Sequence, residues 1–336
     1  MTRKISHLLF AVFLAAYTIF TLLDTFVIPK ELVRADSVSA EEQTDVSASE
    51  ENGAAASYTA SAFADTDDST ESTESSDTSA AVTDTADTES TSGDAGISAA
   101  GSPSVEVTQI TVHDTQVYIA DIYLTDPSQL MTAVADDTFG RNVTDKTSGI
   151  AEDNNALLAI NGDYYGFRDT GYVMRNGYLY RSTARTGSGN EDLVIYADGT
   201  MDIIDESAVT AEELAENGAV QIFSFGPGLV QDGVISVGTD TEVDRSRSSN
   251  PRTAIGMIEP GHYVMVVSDG LTSESEGLTL YELAEIMQEL GCTEAYNLDG
   301  GGSSTMYYNG EIINNPTSGG NRIKERSVSD IVYIPA

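Results

Sequence analysis

Glu294-Ala295-Tyr296-Asn297-Leu298-Asp299-Gly300-Gly301-Gly302-Ser303-Ser304-Thr305-Met306 is the stretch that decides the fold. Glu294–Leu298 reads as a short strand, and Thr305–Tyr308 reads as another. The glycine-rich turn therefore joins strand to strand. A nucleotide-binding turn leads from strand into helix, in a glycine order and with a lysine that are missing here. Three consecutive glycines let a ligand approach the main chain closely, and exposed amides in such a turn can hold an anion. Asp299 stands beside them as a carboxylate able to move a proton or attack carbon.

Upstream, Thr279 and Glu282 form a capping box, and Leu280, Leu283, Ala284, Met287 and Leu290 give the following helix an apolar face. Before it lies an apolar strand, Tyr263–Ser268, ending at Asp269-Gly270. This strand-helix-strand order predicts that Asp269 and Asp299 leave one end of a sheet together. Two carboxylates facing one cleft suit glycoside hydrolysis, in which one protonates the leaving oxygen and the other attacks or activates water.

Further out, paired strands recur around short turns: 105–112 with 117–124, 172–175 with 178–181 across Asn176-Gly177, 193–196 with 201–204 across Asp198-Gly199, and 253–258 with 263–268. Apolar Ala156–Ile160 reads as a buried strand, Val328–Ile334 as the closing strand, and 127–135 as a short helix. Helices are few, so the fold class is α+β, with a mixed, mostly antiparallel sheet.

Composition divides the chain into three. Residues 1–35 carry Arg3, Lys4 and an apolar run from Leu8 to Leu23 that, with Ile5 and Phe26-Val27-Ile28 as flanks, approaches the ~20 residues of a transmembrane signal anchor. A cleaved signal peptide ending at Val33-Arg34-Ala35 is the alternative. Residues 36–104 hold 16 acidic side chains and no Lys or Arg, which predicts a disordered linker. Residues 105–336 form one domain with 36 acidic and 12 basic side chains. That balance excludes a nucleic-acid partner. The expected location is the cell membrane with the domain outside, or secretion after cleavage.

One cysteine, Cys292, excludes an internal disulfide and a thiolate zinc site. His113 and His262 lie in or beside turns, leaving no Ser-His-Asp triad and no His-rich metal site. No cofactor is implied; an all-oxygen calcium site remains an alternative. Two more turns carry chemistry. Asn161-Gly162-Asp163-Tyr164-Tyr165 offers an amide, a carboxylate and rings that can stack on a sugar or simply pack. Arg252, after Pro251, is a candidate anion clamp.

These pieces resemble the phosphodiester glycosidase domain family, which includes the uncovering enzyme that removes N-acetylglucosamine from a sugar-phosphate diester and exported, exopolysaccharide-related bacterial members. The matching segments are Asn161–Tyr165, Arg252–Gly256, Asp269-Gly270, Gly277–Leu280, Leu298–Met306 and Glu325–Asp330. Asp163 departs from the second glycine found in many members. The resemblance implies cleavage between an anomeric carbon and a phosphodiester oxygen, with a glycan or sugar-phosphate substrate. On that reading Asp299 is the main catalytic carboxylate, with Asp269 or Asp163 as its partner. Arg252, Arg326 and the Gly300, Gly301, Ser303 and Ser304 turn hold phosphate, while Asn161 and Tyr164 orient the sugar. The competing class is a non-catalytic wall-glycan binding module on a stalk.

Overall fold

The computed structural model describes residues 101–241, 249–318 and 322–336. The expected membrane segment, and the linker up to residue 100, lie outside the described residues. Among the described residues, no helix is long and apolar enough to cross a membrane.

Three antiparallel sheets build the domain. The first runs in the order β1 (Ser104–Val112), β2 (Thr115–Tyr123), β14 (His262–Ser268), β13 (Arg252–Glu259), β15 (Glu294–Asn297), β11 (Gly228–Gln231) and β12 (Val234–Ile235). The second runs β7 (Tyr178–Arg181), β6 (Val173–Arg175), β10 (Ala219–Phe223), β8 (Glu191–Tyr196) and β9 (Met201–Asp205). The third runs β17 (Glu311–Ile312), β16 (Met306–Tyr308), β5 (Ala156–Asn161), β21 (Asp330–Pro335) and β3 (Met131–Val134). Two small ribbons pair β18 (Thr317–Ser318) with β19 (Arg322–Ile323), and β20 (Ser327–Val328) with β4 (Asp145–Lys146). Every ladder among the described residues is antiparallel, so the mixed element of the expectation is absent from them.

Alternation of side chains along each strand sorts the core into layers. Tyr263, Met265 and Val267 of β14 join Leu158 and Ile160 of β5, Leu193 of β8 and Val332 of β21 in the central core between the sheets. Val264 and Val266 point the other way, against Leu280, Leu283 and Met287 of helix α3 (Leu280–Glu289). Helices α1 (Thr147–Asp153) and α2 (Ala211–Glu216) cover the outer faces of the third and second sheets.

The predicted box at α3 is present: Thr279 Oγ1 accepts from the Glu282 amide at 3.2 Å, and Glu282 Oε2 accepts from the Thr279 amide at 2.8 Å. One expected element differs. Residues 127–129 form only a 3₁₀ turn, and 131–134 become strand β3, paired with β21. Edge pairing there overrides local helical preference.

Register explains why the motif turns converge. β13 lies between β14 and β15, with Arg252 opposite Ser268 and Ala254 opposite Asn297. The ends of β14 and β15 therefore meet the start of β13 at one edge, as expected. In the third sheet Asn161 ends β5 opposite Ile331, and Ile160 faces Met306. The Asp299 amide donates to the Gly162 carbonyl at 3.2 Å, and the Gly162 amide donates to the Asp330 carbonyl at 2.9 Å. The first bond ties the end of β15 in the first sheet to the end of β5 in the third, and the second extends the β5–β21 pairing.

Candidate active site

A cleft of about 240 Å³ opens where these ends meet, lined by Asp163, Tyr164, Phe167, Asp299, Ser303, Arg326 and residues 327–329. A larger depression of about 1100 Å³, with Asp114, Glu274 and Glu276 on its wall, contains none of the predicted site residues. Its acidic lining disfavours an anionic phosphodiester.

Each glycine of the turn has a steric reason. A Cβ on Gly300 would lie 2.9 Å from the Pro251 carbonyl oxygen, and one on Gly302 would lie 2.8 Å from Ser318 Cβ. Gly301 adopts φ +60°, a left-handed conformation that glycine tolerates without strain. The turn winds into a short 3₁₀ coil over Gly301–Ser303, bringing Ser303 back over Asp299.

Asp299 Oδ2 accepts from Ser303 Oγ at 2.6 Å and from Arg326 Nη2 at 3.1 Å, and Oδ1 accepts from the Gly300 amide at 3.0 Å. Arg326 also donates to Ser303 Oγ from Nε at 3.0 Å and from Nη2 at 2.7 Å. The Arg326 side chain is 46 % exposed, whereas that of Asp299 is 12 % exposed. Burial pushes the Asp299 carboxyl above the ordinary aspartate range, against the opposing pull of Arg326 and the Ser303 and Gly300 hydrogen bonds.

The far wall is aromatic. Tyr164 and Phe167 stack with ring centroids 4.6 Å apart. Arg168 sits over Tyr164 and over Phe225, with Cζ 5.5 and 5.3 Å from the ring centroids, and donates to the Ser224 carbonyl.

Below the cleft, Asp163 is engaged on every side. Its Oδ1 accepts from the Tyr165 amide at 2.9 Å and its Oδ2 from the Ser224 amide at 3.2 Å. Arg175 Nη2 lies 3.0 Å from Asp163 Oδ2, close enough for charge attraction but not aligned for a hydrogen bond. The same guanidinium donates from Nε to Asp330 Oδ2 at 2.7 Å.

Five predicted residues thus share the cleft: Asp163, Tyr164, Asp299, Ser303 and Arg326. Six do not line it. Asp269 Oδ1 accepts from the Asn315 amide at 2.7 Å, and its Oδ2 accepts from Asn315 Nδ2 at 3.0 Å and Tyr118 OH at 3.4 Å. It anchors the 314–315 loop, so the expected Asp269–Asp299 pair does not face this cleft. Arg252 is buried and donates from Nε to the Leu278 carbonyl at 2.9 Å, which places it beneath the turn instead of in the cleft. Asn161 Nδ2 donates to the Asp299 carbonyl at 2.6 Å, while its Oδ1 accepts from Thr253 Oγ1 at 2.8 Å and the Thr305 amide at 3.3 Å. It is a strut under the turn and presents nothing to a sugar.

The expected amide nest is largely closed. Gly300 donates to Asp299, Gly301 to the Pro251 carbonyl, Ser303 to the Gly300 carbonyl and Ser304 to the Gly301 carbonyl. Ser304 is fully buried behind them. The turn therefore leaves few backbone amides open to a ligand, and the exposed cation on the cleft wall is the Arg326 side chain.

Sequence reasoning missed Phe167, Arg175 and Asp330. Arg175 precedes Asn176-Gly177 and reads as part of a hairpin; a cation ending an apolar strand was the available signal. Among the described residues, no group of three or more His, Cys, Asp or Glu side chains is arranged to hold a metal ion.

A family model described as phosphodiester glycosidase matches residues 154–335, more than half of the chain. The chain belongs to the phosphodiester glycosidase family. It is 33% identical over 201 residues to the SPbeta prophage-derived uncharacterized protein YomE of Bacillus subtilis, covering 58% of this chain and 30% of that protein. It is 30% identical over 177 residues to the mouse N-acetylglucosamine-1-phosphodiester alpha-N-acetylglucosaminidase, covering 48% of this chain and 33% of that enzyme. The chain thus spans about a third of the length of the curated relatives it matches. The zebrafish enzyme's catalytic domain, solved in a form auto-inhibited by its pro-peptide, shares the fold with a TM-score of 0.57 at 22% identity, over 72% of this chain and 85% of that one. The matched region of this phosphodiester glycosidase family member contains Asp163, Asp299 and Arg326.

Proposed function

We propose that this chain hydrolyses the bond between a sugar's anomeric carbon and a phosphodiester oxygen. The observation that carries the reading is the Asp299–Ser303–Arg326 cluster. It sets a half-exposed guanidinium directly against a buried carboxylate, opposite an aromatic wall.

The roles follow from charge and shape. Arg326 binds a phosphodiester oxygen through charge-assisted hydrogen bonds. Phe167 and Tyr164 support the apolar face of the sugar ring. Asp299 faces the anomeric carbon, where it stabilises developing positive charge and attacks or activates water. The bond from anomeric carbon to oxygen breaks, water supplies the new hydroxyl on the sugar, and the phosphate departs as a monoester. Phosphate leaves readily, so the demand for a second carboxylic acid is small. Ser303 holds Asp299 and Arg326 in register and needs no histidine for that work.

The mouse relative is named for N-acetylglucosamine 1-phosphodiesters, and we extend that substrate class to this chain as the first to test. The apolar N-terminal run and acidic linker favour a site of action outside the cell, on an envelope glycan. The test is turnover of chromogenic N-acetylglucosamine 1-phosphodiester by the purified chain and by Asp299→Asn. Expected is a loss of about a thousandfold or more in kcat for the variant, the scale of removing a central catalytic group. Equal turnover by both proteins would refute the assignment. Glycan binding without turnover by the wild type would favour the binding-module reading.

A further inference from the structure

The cluster beneath the cleft holds two carboxylates for one guanidinium. Arg175, Asp163 and Asp330 are each no more than 3 % exposed. Arg175 commits its Nε to Asp330 at 2.7 Å and its Nη1 to the Met174 and Ile222 carbonyls. Its guanidinium lies over the Phe223 ring, 4.2 Å from the centroid, which blocks that face from water. Asp330 Oδ1 is fully enclosed and has no hydrogen-bond partner. It sits so close to Gly162 that a Cβ there would fall 2.3 Å from it.

Burying an uncompensated charge is costly, and a buried group neutralises where it can. An ionised Asp330 would leave this enclosed triad with one excess negative charge, offset only in part by half-buried Arg181, which attracts Asp163 but makes no ion pair with either carboxylate. A proton on Oδ1 removes the excess and turns a bare acceptor into a hydroxyl.

We propose that Asp330 holds a proton next to the cleft floor, and that releasing it weakens the binding of an anionic substrate. The proposal rests on the phosphodiester reading for its kinetic consequence, but not for the proton itself. Asp330 is a positioning residue that acts through Arg175 and Asp163. The charged and titratable groups facing it are Arg175 from β6 and Asp163 from the turn after β5, with Tyr165 beyond, its ring 5.6 Å from Arg175 Cζ, and Arg181 from β7 behind Asp163, its hydrogen bonds given to the Gly171, Tyr165 and Arg168 carbonyls. From β3 the residue opposite is Val134. Burial drives its carboxyl up to about 7, with Arg175 and the Asp163 backbone amide opposing and the Asp163 carboxylate reinforcing. A phosphodiester keeps its charge throughout that range. His113 and His262 pair with Glu282 and Asp121 and are not part of the cleft.

The experiment measures KM and kcat of the full chain on chromogenic N-acetylglucosamine 1-phosphodiester from about pH 5.5 to about pH 8.5, the span around Asp330 titration. Wild-type KM should rise about tenfold, the effect of one charge roughly 10 Å away at an effective dielectric of about 20. Asp330→Asn mimics the protonated acid, so its KM should stay flat. Asp330→Ser provides the same comparison should the asparagine variant fail to fold. A KM that rises equally in a folded variant, or a wild-type KM that does not rise, overturns the proposal. The proton is read separately from substrate. With aspartate carboxyl carbons labelled, wild type should show a resonance titrating near neutrality that the variants lack, and identical titrations would overturn the proposal. Absence of wild-type turnover at every pH, with that resonance present, defeats the functional reading and leaves the proton assignment standing.

Discussion

Replacing Asn161 by alanine separates a strut from a substrate contact. The side chain is fully buried and joins four parts of the domain. Its Nδ2 holds the Asp299 carbonyl at 2.6 Å and the Gly162 carbonyl at 3.2 Å, and its Oδ1 accepts from Thr253 Oγ1 and the Thr305 amide. Alanine removes all four bonds. The Gly162 carbonyl keeps the Asp299 amide as a donor, and the Thr253 hydroxyl can rotate. The Thr305 amide and the Asp299 carbonyl lose these bonds inside the protein. Each buried orphan costs about 1–3 kcal/mol, and the small cavity adds about 1 kcal/mol. The expected loss is about 3–7 kcal/mol, a large part of the roughly 5–15 kcal/mol available to a domain. Urea unfolding of wild type and Asn161→Ala measures it directly, with the midpoint shifting and the slope unchanged. Activity of the surviving native fraction should fall in kcat, because Asp299 loses its backbone support. A stability change below about 1 kcal/mol with a raised KM alone would refute the strut and restore the sugar contact.

Other outcomes follow from the same contacts. Arg326→Ala should lower kcat/KM on a sugar phosphodiester by about a hundredfold or more, the scale of a lost charge-assisted contact, while turnover of a neutral aryl glycoside changes little; equal losses on both would argue against phosphate recognition. The acidic limb of the kcat/KM profile should lie above the ordinary carboxylate range, because burial raises Asp299, and Ser303→Ala, which removes a bond favouring the ionised form, should move that limb further up. Asp330 binds its proton more tightly folded than unfolded, being raised to about 7, so its stabilising contribution is present below about pH 4 and lost as pH rises through about 7; unfolding free energy should fall by up to about 4 kcal/mol across that window in wild type and by less in Asp330→Asn. Gly256→Ala places a Cβ 2.7 Å from Cys292 Sγ and Met287 Cε, and should destabilise by about 1–3 kcal/mol through overpacking under α3.

Much of the fold was legible because its signals are local. The Asn176-Gly177 and Asp198-Gly199 turns, the capping box at Thr279 and alternation along β14 each act within a few residues. Helix α1 escaped because it is seven residues long, contains Gly149 and has no side-chain cap hydrogen bond. The 127–135 segment misled because its pairing partner, β21, lies some 200 residues away in sequence.

The site divides along the same line. Asp299, Ser303 and Arg326 were visible because a glycine-rich turn and a retained arginine are informative alone. The division of labour among carboxylates was not. Asp163, Asp269 and Asp299 all follow apolar strands and all precede or follow glycine. What separates them is which donors the rest of the fold aims at each. Two asparagines and a tyrosine close around Asp269, Arg175 arrives beside Asp163 from another sheet, and only Asp299 receives a half-exposed arginine. Carboxylate chemistry is set by such partners more than by the carboxylate's own neighbours in sequence. An aspartate saturated by neutral donors is a brace. One in direct contact with an accessible cation can give that cation up to a substrate phosphate and leave its own charge to the anomeric carbon.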